Sequence, residues 1–190
     1  GIGQEDLLIG LIGRFQNIKG QHIFLQSAKT LAKQFPQARF LVAGRSREPR
    51  RMRYARAVEK AGLTKRFTIL GYQNDLPTLL ASMDIGVVAS LGSEGSSRIA
   101  LECLASGVPV VATTVGGIPE LLQHGRYGIL VKPNDAESLA DGIARMIEDE
   151  QLRKRLQSEG RVYVESEKHY GRWIMEIEQA YQKVLDRRRR

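Results

Sequence analysis

Six short apolar runs alternate with longer amphipathic segments along the chain. The runs are "LLIGLIG" (7–13), "ARFLVAG" (38–44), "RFTILGY" (66–72), "DIGVVAS" (84–90), "VPVVATT" (108–114) and "YGILVKP" (127–133). They are nearly continuous in apolar residues, the pattern of strands covered on both faces of a parallel sheet. Between them, "QHIFLQSAKTLAKQF" puts Ile23, Phe24, Ala28, Leu31, Ala32 and Phe35 on one helical stripe. "DLPTLLASM" does the same with Leu76, Leu79, Leu80 and Met83, and "ESLADGIARMIED" with Leu139, Ile143, Met146 and Ile147. Beyond residue 150 no strand is readable, and "QLRKRLQSEGRVYVESE" and "GRWIMEIEQAYQKVL" read as two closing helices. Strand–helix alternation implies right-handed crossovers. The predicted fold is therefore α/β: a doubly wound, parallel six-stranded, Rossmann-like sheet over residues 1–150, with closing helices over 151–190.

Composition narrows the class. With 190 residues, 42% hydrophobic and 26% charged, the chain suits one soluble globular domain. Cys103 is the single cysteine, so no internal disulfide is available and a reducing, cytoplasmic setting is expected. No apolar run approaches the ~18 residues that span a bilayer. The opening "GIGQEDLL" lacks an initiator Met and passes almost at once into a strand, which suggests a piece cut at a domain linker. The formal net charge of +8 comes largely from "GRSREPRRMRYARAVEK" (44–60) and from Arg187 to Arg190. Nucleic acid, an anionic membrane surface or an anionic small ligand would account for it, but the plainer reading is a solvated helix face and a frayed tail. Aromatic residues are only 6% and are not interleaved with the basic ones, so no single-stranded nucleic acid partner is expected.

In a doubly wound sheet, ligands bind beyond the carboxyl ends of the strands. The turns there are "GRFQNIKG", "AGRSRE", "LGYQND", "SEGSSR" and "TTVGGIPE". In the first, Gly13 and Gly20 flank Arg14 and Lys19 at the start of a helix, a combination suited to a diphosphate. A basic loop capping a helix would look the same. The third, with Gly71 and Tyr72, offers main chain to a base and ends on Asp75. In the fifth, Gly116 and Gly117 can take positive φ, and Pro119 fits a first helical turn.

The fourth turn precedes an apolar helix, "RIALECLAS", interrupted by one acid, Glu102. A second acid, Glu94, stands eight residues earlier in the loop. Eight residues of pure helix span ~12 Å, so the pair suits two ends of one elongated ligand better than a shared proton. Ser97 is the expected N-cap. The amides of Ser96, Ser97 and Arg98, after Gly95, emerge where a negative group would sit. Arg98 and Glu102 also stand at the i,i+4 spacing of an ordinary surface pair. The histidines have no metal-ligand spacing, His22 at a helix start could approach an anion but reads first as a solvated cap position, and Cys103 is a small core residue.

Taken together, "GRFQNIKG", "LGYQNDLPTLLASMDIGVVAS" and "SEGSSRIALECLASGVPVVATTVGGIPELLQHGRYGILVKPNDAESLADGI" resemble the C-terminal, donor-binding half of retaining GT-B glycosyltransferases of family 4. The resemblance implies transfer of a sugar from a nucleotide-diphosphate sugar to an acceptor, as in cell-envelope glycan, lipopolysaccharide or polysaccharide synthesis. It implies Arg14 and Lys19 on the diphosphate, Glu94 beside the donor sugar and Glu102 on the ribose hydroxyls. It also implies no cofactor or metal ion, since the two cations neutralise the leaving group, and an acceptor-binding N-terminal domain as partner. Peripheral contact with the inner face of a membrane is compatible with it. Two features depart from the pattern: "EGSS" stands for the commoner "EGFG", and Cys103 for the usual Ala. A non-catalytic nucleotide-binding module, or a GT-B nucleotide-sugar epimerase or hydrolase, is the alternative.

Overall fold

The computed structural model describes residues 3, 5–46, 48–92, 95, 97–168 and 170–188. Six parallel strands, β1 (Leu7–Ile12), β2 (Ala38–Ala43), β3 (Phe67–Leu70), β4 (Ile85–Val88), β5 (Val110–Thr113) and β6 (Ile129–Val131), form one sheet in the order β3-β2-β1-β4-β5-β6. Each lies inside one of the apolar runs of the sequence. The expected α/β doubly wound sheet is present.

Among the described residues eight α-helices connect and cover the strands: α1 (Gln21–Gln34), α2 (Glu48–Lys60), α3 (Leu76–Ala81), α4 (Arg98–Ala105), α5 (Ile118–Leu121), α6 (Ala136–Glu148), α7 (Glu150–Glu167) and α8 (Tyr170–Arg188). Period-two strands expose side chains to both faces of the sheet, and two apolar layers result. On one face Phe24 and Leu31 of α1, Tyr54 and Val58 of α2 and Leu139 and Ile143 of α6 pack on Ile9, Phe40 and Val42. Phe24 meets Phe40 and Phe67 edge-on at 5.9 and 6.0 Å between ring centroids, the geometry that aligns a positive ring edge with a negative face. On the other face Leu80 of α3, Cys103 and Leu104 of α4 and Ile118 of α5 pack on Leu8, Val88 and Val110.

The α1 stripe is wider than its apolar positions predict. Leu25 is also buried, while Ala32 and Phe35 are only partly so. The α6 stripe is buried as expected at Leu139, Ile143, Met146 and Ile147. Helix α7 contributes Leu156 to the first layer and Tyr163 and Val164 to the second, so it wraps from one layer to the other. Tyr163 stacks on Tyr127 at 4.3 Å. Asp135 and Asp149 start α6 and α7 by accepting from Ser138 and Leu152 amides at 2.9 and 2.8 Å, satisfying donors that a first helical turn leaves open. Helix α8 leaves Met175, Tyr181 and Leu185 half or more exposed. Among the described residues no helix is long and apolar enough to cross a membrane.

Candidate functional site

Strand order reverses direction between β1 and β4. The loop after β1 leads to α1 on one face, and the loop after β4 leads to α4 on the other, opening the crevice where such sheets hold ligands. The loop after β1 carries a 3-10 turn at Asn17–Lys19, closed by Gly20 in the left-handed region at φ 68°. This turn is seated directly on the loop after β4. The Leu91 amide donates to the Ile18 carbonyl at 2.8 Å. A Cβ on Gly20 would lie 1.9 Å from the Ala89 carbonyl oxygen. Gly20→Ala therefore combines a disfavoured φ with a backbone clash, and should lower stability by about 2–4 kcal/mol. An unchanged urea midpoint would show that the turn can leave Ala89 without cost.

The loop after β5 joins the same corner. Thr113, buried at the end of β5, donates its hydroxyl to the Ser90 carbonyl at 2.6 Å. The Gly95 carbonyl faces Gly117 so closely that a Cβ there would approach to 2.5 Å. The expectation of two flexible glycines is half right. Gly116 takes φ 58°, but Gly117 has an ordinary φ of −84° and is needed for its lack of a side chain. Pro119 does sit in the first turn of α5.

The predicted site residues distribute around this corner as follows. Lys19 ends the 3-10 turn, and its aliphatic stem lies 3.8 Å from where a Gly13 Cβ would be. The Arg14 carbonyl accepts from the buried Gln21 side chain at 2.8 Å. The Arg14 side chain lines a cavity of about 470 Å³ with Arg45 and Arg50. Gly95, Ser97 and Arg98 line another, of about 720 Å³, against Gly117 and the α7–α8 junction. Glu102 is engaged by Arg98 at 3.2 Å, as the i,i+4 spacing allowed. Glu94 and Ser96 lie outside the described residues.

Two expectations need correction, the capping bond of Ser97 and the solvated face of the basic stretch. Ser97 precedes α4, but its hydroxyl makes no capping bond. The residue is 1% exposed and its Oγ has no hydrogen-bond partner among the described residues, because the side chain turns into the protein rather than toward the helix amides. Asp75 is exposed in the loop after β3 and caps α3. Its carboxylate accepts from the Thr78 amide at 3.1 Å as the cap of α3, and the bonds from Thr78 hold its pKa below the ordinary value. The basic stretch is not simply a solvated face. Arg45 stacks over the Tyr72 ring at 5.0 Å, Arg51 presses against Gly71 and Arg50 donates to the Phe15 carbonyl at 3.4 Å. The arginines thus brace the ends of β1, β2 and β3. The tail expected at Arg187–Arg190 is described only as helical backbone to Arg188; its side chains lie outside the described residues.

Cys103 is the core residue it was expected to be. It is 2% exposed against Gly86, and burial, with Glu102 beside it, pushes its thiol up to about 12. Sequence reasoning missed Gln21 and Thr113. The only available signal was a polar side chain at the edge of an apolar run, which marks a buried hydrogen bond as readily as exposure.

A Rossmann-like sheet, with three loops converging at its switch point and cations in the first of them, has the arrangement at which open α/β sheets hold ligands. The family profile described as Glycosyl transferases group 1 matches residues 6–149, and the chain belongs to that family. It is 31% identical over 160 residues to a D-inositol 3-phosphate glycosyltransferase of Corynebacterium urealyticum, covering 80% of this chain and 38% of that one. The structure of Anabaena Alr3699/HepE in complex with UDP and glucose superposes with a TM-score of 0.81 at 27% identity, over 96% of this chain and 48% of that one. The C-terminal domain of a group 1 glycosyl transferase (LpcC) from Francisella tularensis superposes at 0.79 with 29% identity, over 86% and 87% of the two chains. The chain thus spans less than half the length of the Corynebacterium and Anabaena proteins.

Proposed function

We propose that this chain is the donor-binding domain of a retaining, hexosyltransferase-like glycosyltransferase. The observation that carries the reading is the seating of the Arg14–Lys19 turn on the loop after β4, joined by the Leu91–Ile18 hydrogen bond. It seats the turn that carries the two cations on the loop that leads from β4 to α4, whose first-turn amides have no intrahelical partners. A nucleotide-diphosphate sugar fits there, with Arg14 and Lys19 on the diphosphate, Glu102 on the ribose and Glu94 near the sugar. The UDP and glucose of the Anabaena protein support this choice of ligand.

Transfer then proceeds with retention by attack on the face the nucleotide leaves, the donor phosphate assisting and the cations stabilising the departing diphosphate. No protein nucleophile and no metal ion are required. A second domain supplies the acceptor, and α8 packs toward it with the apolar side chains it now exposes. The products belong to cell-envelope glycan, lipopolysaccharide or polysaccharide synthesis, and the protein works in the cytoplasm.

Glu102 provides the test. Its pair with Arg98 is no obstacle, since the arginine side chain is 87% exposed and such surface pairs contribute only about 0.3–0.5 kcal/mol. Glu102→Gln should weaken nucleoside, nucleoside diphosphate and nucleotide sugar alike, by about tenfold. Glu94→Gln should weaken only the sugar-bearing donor. Calorimetric titration with UDP, GDP and ADP and their sugars also reads the base preference. A reversed pattern for the two glutamates would mean that the ligand lies the other way along α4.

A further inference from the structure

Gln21 is the first residue of α1, yet its side chain is buried, at 5% exposed. It does not cap the helix, whose N-cap is Gly20. Instead its Nε2 reaches back across the turn after β1 and donates to the Arg14 carbonyl at 2.8 Å. The peptide unit between Arg14 and Phe15 is therefore held at both ends, because its N–H donates to the Arg45 carbonyl at 3.1 Å. A planar unit fixed at both N–H and C=O cannot rotate, so the backbone on the carboxyl side of Arg14 is set. The Gly13 amide, on the Ala43 carbonyl at 2.9 Å, sets the other side.

Lys19 is held by different bonds. Its amide donates to the Gln16 carbonyl at 2.9 Å, Gly20 closes the 3-10 turn on Asn17 at 3.0 Å, and Leu91 holds the Ile18 carbonyl. None of these involves the Gln21 side chain. The two cations thus stand on separately fixed pieces of backbone. Gln21 ties the Arg14 piece to the helix that begins two residues after Lys19.

We propose that Gln21 is a positioning residue for the diphosphate: by fixing the Arg14 backbone relative to the Lys19 turn, it sets the separation of the two cations and so favours a diphosphate over a monophosphate. This role rests on the donor site proposed above and assigns part of its selectivity to a side chain that touches no ligand. A monophosphate offers a single group, and its affinity depends little on where a second cation stands. A diphosphate gains from both cations only if they are already spaced to meet it, since ordering a free arginine on binding offsets part of what its contact contributes.

The test is a calorimetric titration with UDP, UMP and uridine, with the guanosine and adenosine series in parallel. The chains compared are the wild type, Gln21→Met, Arg14→Ala, Lys19→Ala and the two double variants that carry Gln21→Met. Met matches the length of glutamine but donates nothing, so Gln21→Met should keep a cooperative urea transition. It should weaken the diphosphate about three- to tenfold, as loss of one hydrogen bond predicts, and by no more than Arg14→Ala does. Monophosphate and nucleoside should stay within about twofold of the wild type. In the Arg14→Ala background the same substitution should cost nothing further, because the group it positions is gone. In the Lys19→Ala background its full effect should remain.

A loss equal for diphosphate and monophosphate, or as large with Arg14→Ala as without it, would show that Gln21 only supports the fold, and overturns the proposal. So does an unchanged diphosphate affinity, or a Gln21→Met chain that does not fold. A wild-type chain that binds none of the three diphosphates removes the donor site and this role with it. Diphosphate binding by the wild type with the wrong pattern among the variants removes this role alone.

Discussion

The 190-residue chain is expected to bind a nucleotide sugar and to transfer none of it. The turns that would hold phosphate, ribose and base all arise from its own strand ends, and they are braced by contacts within the chain: Leu91 on Ile18, Thr113 on Ser90, Arg45 over Tyr72. Its two apolar layers are complete enough for it to fold alone. The acceptor and the wall that closes the crevice are assigned to a second domain, in keeping with the 48% of the Anabaena chain that this one covers. Without that wall, water would reach the anomeric carbon and no group would hold the acceptor against the face the nucleotide leaves. Such positioning supplies ~7–11 kcal/mol of a barrier, equivalent to about five to eight powers of ten in rate. A transfer assay with nucleotide sugars and candidate acceptors, run beside a binding titration, should give saturable binding and no turnover above background. Robust turnover would mean that acceptor contacts reside in this chain, and the two-domain reading would have to be abandoned.

How much of this was legible without coordinates depends on the range of the interaction. All six strands lie inside apolar runs because a strand covered on both faces is apolar at most of its positions, a local property. The edge strand β3, with Thr68 exposed, and Arg39 of β2 are the exceptions that cover allows. Parallel order followed from the alternation with helices. The site's elements were visible too, as turns at strand ends. Their mutual placement was not. Ile18 and Leu91 are far apart in sequence, and nothing in "NIKG" or "ASLG" says that one carbonyl will accept the other's amide. The same holds for Arg45 and Tyr72, where a charge run in the sequence became a brace across strand ends.

Side-chain direction was the other loss. Ser97 has the right identity and position for a cap, yet a serine can point its hydroxyl inward as easily as along the helix, and here it does. Arg98 and Glu102 illustrate the reverse case. Their spacing alone predicted the pair that forms, but spacing could not say whether a ligand or Arg98 would occupy the carboxylate.

Lys19→Ala should produce the largest loss in binding of any single substitution in the turn after β1. The lysine ends the 3-10 turn, one residue before the glycine that abuts Ala89, and its stem lies along Gly13. A charged hydrogen bond of this kind contributes ~1.5–3 kcal/mol, or about ten- to a hundredfold in affinity for a nucleoside diphosphate. The nucleoside, which has no phosphate, should bind as before. Arg14→Ala should cost less, because Arg45 and Arg50 line the same cavity as Arg14 and keep its potential positive after the substitution. Calorimetric titration of both variants with nucleoside and nucleoside diphosphate separates these effects. An equal loss for both ligands in Lys19→Ala would mean that the lysine supports the turn instead of meeting the phosphate, and the diphosphate would then have to be placed nearer Arg14 and α2.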